Sequence, residues 1–107
     1  MYLDLFANTY RGIKAAHPAL RVGGPATAQL AWLDAMVQGA TRLGCPPDFV
    51  SSHLYPTDPQ AHEQPLAHGR ADFAKAISSA ADIVTASAKK AGMATSPQLL
   101  ITEVSVF

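Results

Sequence analysis

Apolar and polar positions along this chain switch repeatedly between a helical and an extended spacing. Leu3, Phe6, Tyr10 and Ile13 recur every three or four residues over residues 2 to 17, with Asp4, Arg11 and Lys14 between them. That spacing predicts an amphipathic helix, closed by Pro18 with His17 as its terminus. Leu20 to Gly24 is a short apolar run ending in Gly23-Gly24-Pro25, which predicts a buried strand entering a turn that side chains would obstruct. A second helix is expected from Leu30, with Leu33, Met36, Val37, Ala40 and Leu43 on one face and Gly44 as terminator. Trp32 falls within it and is expected to pack on a neighbouring helix or strand. Asp48 to Leu54 then forms a second strand.

Residues 55 to 69 hold Pro56, Pro59, Pro65 and Gly69 among polar residues, a loop longer than the few residues that usually join strand to helix. Loops of that length often carry function. A third helix is predicted from Arg70 to Ala91, with Phe73, Ile77, Ala80, Ala81 and Val84 on a small, alanine-rich face and Gly92 ending it. Leu99, Leu100 and Ile101 lie in a third strand, which runs through Glu103 toward Val106 and Phe107.

Strands separated by helices imply right-handed crossovers and a parallel sheet, whose strands are normally covered on both faces. Three helices cover less than three such strands require. A closed (β/α)8 barrel takes about 250 residues. The predicted class is therefore α/β, a fragment of a (β/α)8 TIM barrel with about three β/α units and parallel strands near 20–24, 48–54 and 98–104. On this reading residues 1–107 are part of a catalytic barrel domain without its first strands and its end. Alone, such a chain is expected to be marginally folded, because its strand edges are open.

Composition narrows the partners. Of the 107 residues 15% are charged, 8 basic against 8 acidic, and 49% are hydrophobic. A balanced charge gives no electrostatic footprint for nucleic acid or for anionic lipid. No apolar run approaches the roughly 20 residues of a spanning helix, and the N-terminus lacks the basic-then-apolar order of a secretory signal. The chain reads as soluble, with its compartment and oligomeric state open. The single cysteine, Cys45, excludes an internal disulfide and a CxxC centre. Without a basic neighbour to lower its pKa, it is expected to be structural.

In barrels of this kind the working residues lie at the C-terminal ends of strands. Three places qualify: Gly23-Gly24-Pro25 with Thr27, Ser52-His53-Leu54-Tyr55, and Thr102-Glu103. Singly each has a plain structural explanation: glycines for a tight turn, a histidine satisfied by backbone, a strand-end glutamate in solvent. Their fall at one end of three consecutive parallel strands points instead to a site. Loop histidines His62 and His68, nine and fifteen residues after His53, lack the helical HExxH spacing of a metal site. Neither a metal nor another cofactor is expected.

The order LRVGGPAT, AWLDAM, PDFVSSHLYP and LLITEVS resembles glycoside hydrolase family 39, which includes β-xylosidases and α-L-iduronidases. The resemblance covers nearly the whole chain and maps it from the helix after the fourth barrel strand to the end of the seventh. It implies a retaining glycosidase whose nucleophile, the glutamate ending the seventh strand, falls on Glu103. His53 and Tyr55 match the histidine and tyrosine that line the sugar subsite, with the tyrosine hydroxyl holding the nucleophile in its attacking rotamer. Gly24 and Pro25, at the end of the first strand, are expected to contact substrate as well. Many relatives carry an aromatic residue just after the nucleophile, where this chain has Val104, which puts the identity of the sugar in question.

The resemblance places the acid/base glutamate in an Asn-Glu pair after the fourth strand, ahead of Met1. Of the two glutamates present, Glu63 lies in the proline-rich loop, and Asp48 starts its strand at the end opposite the site. The expected partner is a glycoside or oligosaccharide, and the chain alone is expected to be inactive. The alternative is a noncatalytic carbohydrate-binding or scaffold remnant of such a barrel.

Overall fold

The computed structural model describes residues 1–55 and 70–104. In chain order the elements are α1 (Tyr2–Ala16), β1 (Gly23–Thr27), α2 (Leu33–Arg42), β2 (Phe49–Leu54), α3 (Arg70–Lys90) and β3 (Gln98–Val104). The three strands form one parallel sheet in the order β1-β2-β3. This is the expected α/β arrangement. The proline-rich loop beyond Tyr55, with Glu63, His62 and His68, and the continuation to Val106 and Phe107 lie outside the described residues.

All three predicted helices are present. Gly44 at φ 74° and Gly92 at φ 76° follow α2 and α3 in the left-handed conformation expected of helix stops. Met36, Val37, Val50 and Val84 are fully or almost fully buried in one core cluster shared by α2, α3 and β2. Each contributes roughly 1.5–3 kcal/mol relative to an exposed side chain. The face of α3 is narrow, as its alanines predict: Ala80, Val84, Ser87 and Ala88 are its buried positions among the described side chains. Ser87 Oγ reaches Asp34 Oδ1 on α2 at 2.5 Å. That hydrogen bond, with a second from Gln38, holds the Asp34 carboxyl below the usual range. Cys45 is fully buried, as a structural cysteine should be. Among the described residues no helix is long and apolar enough to cross a membrane.

Two boundaries differ from the sequence reading. The first strand begins at Gly23 rather than Leu20 and runs through Gly24 and Pro25 to Thr27. Before it, Leu20 O accepts from Lys14 Nζ at 2.7 Å and Val22 N–H donates to Asp48 Oδ2 at 2.8 Å. Side chains thus satisfy that backbone ahead of the paired register, which opens at Gly23↔Phe49. The second helix begins at Leu33 rather than Leu30, because Ala28–Leu30 form a 3-10 turn and Gln29, Leu30 and Trp32 take φ of 54°, 59° and 67°. Trp32 consequently precedes the helix. The residue is 42% exposed, and its ring meets Tyr2 of α1 edge-on at 5.4 Å.

At the N-terminal end of the sheet, Lys14 Nζ also pairs with Asp48 Oδ2 at 2.8 Å. Partial burial acts to raise the Asp48 pKa, but the hydrogen bonds from Lys14 and the Val22 amide, with the nearby Lys14 and Arg21 charges, outweigh it and lower it. A carboxyl with a folded pKa below its unfolded value, about 3.9, contributes stability above that value and loses it as pH falls through the folded one. Asp48→Asn is therefore expected to cost about 1–2 kcal/mol at pH 7. Denaturant titrations of both proteins from pH 7 to pH 3 should show that deficit shrinking as acid is added. A deficit independent of pH would remove the charge from the explanation.

Candidate active site

Each outer strand carries one extra residue at the same level of the sheet. The pairing of β2 with β3 passes from Ser52↔Ile101 to His53↔Glu103, leaving Thr102 unpaired. The pairing of β1 with β2 passes from Pro25↔Ser51 to Thr27↔Ser52, leaving Ala26 unpaired at φ 59°. These are β-bulges, which re-aim side chains near sheet ends and active sites. In an unbroken ladder Thr102 would stand opposite His53, with Glu103 one step further on. The bulge brings Glu103 level with His53 instead.

The residue types around the bulges account for them. Ser51 Oγ accepts the Ala26 amide at 3.1 Å, so the displaced backbone keeps a partner. The fully buried Ser52 donates its hydroxyl proton to Thr27 O at 2.6 Å and accepts the Leu30 amide at 3.0 Å. Two serines that read as ordinary strand positions therefore hold the turn after β1.

Residues two apart on a strand share a face, and His53 and Tyr55 follow that rule at the end of β2. Their rings lie 6.1 Å apart, edge to face. Both reach Glu103. His53 Nε2 is 3.7 Å from Glu103 Oε1, a contact that becomes an ion pair when the imidazole is protonated. The Tyr55 hydroxyl donates to Glu103 Oε2. One carboxylate oxygen thus accepts a hydrogen bond while the other lies in longer contact with the imidazole, and the side chain is 57% exposed at the end of the sheet. A carboxylate with a fixed rotamer and an open approach is equipped to attack an electrophilic carbon.

Gly24 and Pro25 sit elsewhere, with β2 between them and Glu103. A Cβ on Gly24 would come within 2.6 Å of the Tyr2 hydroxyl, so the missing side chain leaves room for the end of that tyrosine. Pro25 pairs with Ser51, two residues short of His53. Val104, beside Glu103, is 55% exposed. Gln29 escaped the sequence reading: its side-chain amide bonds both the N–H and the C=O of Tyr55. No sequence signal marks it, because a glutamine after a short strand is ordinary. Among the described residues no group of three or more histidine, cysteine or acidic side chains is placed to hold a metal.

The family model for glycosyl hydrolases family 39 matches residues 1–91. A β-xylosidase of Caldicellulosiruptor saccharolyticus is 46% identical over 57 residues, which are 53% of this chain and 12% of that protein. The crystal structure of the family 39 enzyme from Xanthomonas axonopodis pv. citri superposes with a TM-score of 0.71 at 30% identity, over 97% of this chain and 21% of that one. A family 51 α-L-arabinofuranosidase from Bifidobacterium longum shares the fold, with a TM-score of 0.69 at 16% identity over 99% of this chain and 22% of its own. The aligned part of the chain thus spans less than a quarter of each of these proteins. The family match ends ahead of β3, so the placement of Glu103 rests on the sheet geometry.

Proposed function

The chain belongs to glycosyl hydrolases family 39, and from that membership and the geometry around Glu103 we propose that the protein carrying it is a retaining glycosidase, with β-xylosides as its first candidate substrates. The observation that carries the reading is the Glu103 carboxylate held between His53 and Tyr55 at the C-terminal end of parallel strands. The β-xylosidase relative supports the choice of sugar.

The chemistry follows from a fixed carboxylate. Glu103 attacks the anomeric carbon as the glycosidic C–O bond breaks, and the leaving oxygen takes a proton from a second carboxyl group about 5–5.5 Å away. Water then attacks the glycosyl ester, gives its proton to that second group, now a carboxylate, and releases Glu103. Tyr55 keeps the attacking oxygen in place, and His53 stands beside it to bind the sugar. On this reading the second carboxyl is the glutamate of an Asn-Glu pair after the fourth barrel strand, residues 1–107 are part of the catalytic domain, and they are expected to be inactive alone.

Trapping tests this directly. An activated xyloside with fluorine at C2 destabilises the oxocarbenium-like transition states, and a good leaving group restores the first step more than the second. Incubated with the full-length protein, it should add one glycosyl mass to the peptide containing Glu103. Labelling of a different residue, or hydrolysis without any adduct and with inverted product, would overturn the assignment.

A further inference from the structure

We infer that Gln29 is a positioning residue for this site, setting the Tyr55 phenol on Glu103 by gripping the Tyr55 backbone; the inference rests on the reading of Glu103 as nucleophile. The paired register of β1 with β2 ends at Thr27↔Ser52, and β2 itself ends at Leu54. Tyr55 lies past both. At that point the Gln29 side chain supplies what a neighbouring strand would: Nε2 donates to Tyr55 O at 3.1 Å, and Oε1 accepts the Tyr55 N–H at 3.2 Å. A primary amide offers a donor and an acceptor side by side, which is the pattern a peptide group presents to a ladder. The orientation is fixed, because the Tyr55 N–H can only donate.

Gln29 is itself anchored. It sits at φ 54°, ψ 40° and is followed by Leu30 at φ 59°. Left-handed backbone at consecutive non-glycine residues persists only where surrounding bonds demand it. Here the buried Ser52 hydroxyl takes the Leu30 amide at 3.0 Å and is tied to Thr27 O at 2.6 Å. The chain of contacts runs from Ser52, through the turn, to Gln29, to the Tyr55 backbone and so to the phenol on Glu103. A side-chain clamp at this step controls where the hydroxyl stands without touching substrate.

The test uses the full-length protein with an aryl β-xyloside. Gln29→Met keeps the length of the side chain and removes both bonds. It should lower kcat about 10- to 100-fold, the order expected of a misplaced active-site group, while KM changes less than about threefold and the melting temperature stays within a few degrees. Tyr55→Phe should lower kcat at least as much. In that background Gln29→Met should cost less than about twofold, since residues acting through one contact are not additive. An undiminished loss in the Tyr55→Phe background, or no loss in the single variant, would overturn the inference. If Gln29→Met does not fold, Gln29→Glu retains the acceptor for the Tyr55 N–H and loses the donor, and the same cycle applies. Glu103→Gln separates the two readings: if it stays active, the nucleophile assignment fails, whereas an inactive Glu103→Gln beside a silent Gln29→Met overturns the clamp alone.

Discussion

Glu103→Gln in the full-length protein is expected to lower kcat on aryl xylosides by at least about 10³-fold with its fold intact, the scale seen when a nucleophile is removed from an otherwise complete site. The amide has the shape of the carboxylate, and the Tyr55 hydroxyl still finds an acceptor oxygen. What disappears is the anion that forms the glycosyl ester in the proposed mechanism. Steady-state turnover alongside a circular dichroism melt decides the matter. A folded variant that keeps more than a tenth of the activity would move the nucleophile to another residue.

The isolated 107-residue chain is expected to turn over no glycoside at all, although it contains Glu103, His53 and Tyr55. General acid assistance contributes about 10²- to 10⁴-fold, and an unpositioned substrate forfeits more. On the proposed mechanism a nucleophile deprived of its acid/base can at most form an ester with a highly activated substrate and then stall, because that same group activates water for the second step. Assays of the purified chain with activated xylosides and iduronides check this. Steady turnover abolished by Glu103→Gln would show that a residue within the chain acts as acid/base, with Glu63 the first to replace.

Legibility in the sequence depended on which interactions carried each feature. The helices were readable because their buried faces repeat at helical spacing, and Gly44 and Gly92 stop two of them in the conformation glycine favours. That the ends of β2 and β3 bring His53, Tyr55 and Glu103 together was readable because the strands are parallel neighbours, His53 and Tyr55 are two residues apart, and Glu103 follows the apolar run Leu99–Ile101. The segment from Gly23 to Trp32 was not. Its left-handed residues are Ala26, Gln29, Leu30 and Trp32, none a type that announces a positive φ. Two of them, Ala26 and Leu30, give their amides to Ser51 and Ser52, 25 and 22 residues later. The bulge at Thr102 is equally silent, since it is a property of how two strands pair rather than of either strand alone.

Cys45 gives this fold a built-in clock. The thiol is fully buried, with Sγ 3.7 Å from Ala7 O of α1, and it is the chain's single cysteine. An alkylating reagent in the solvent can reach the sulfur only after the packing around it has opened. The rate at which Cys45 itself is alkylated in the unmodified protein therefore counts openings of this part of the fold, much as amide exchange counts them for backbone groups. No label has to be introduced, and none of the residues around Glu103 has to be changed. Mass spectrometry of one peptide would follow how often the scaffold beneath the site breathes while the site itself is left untouched.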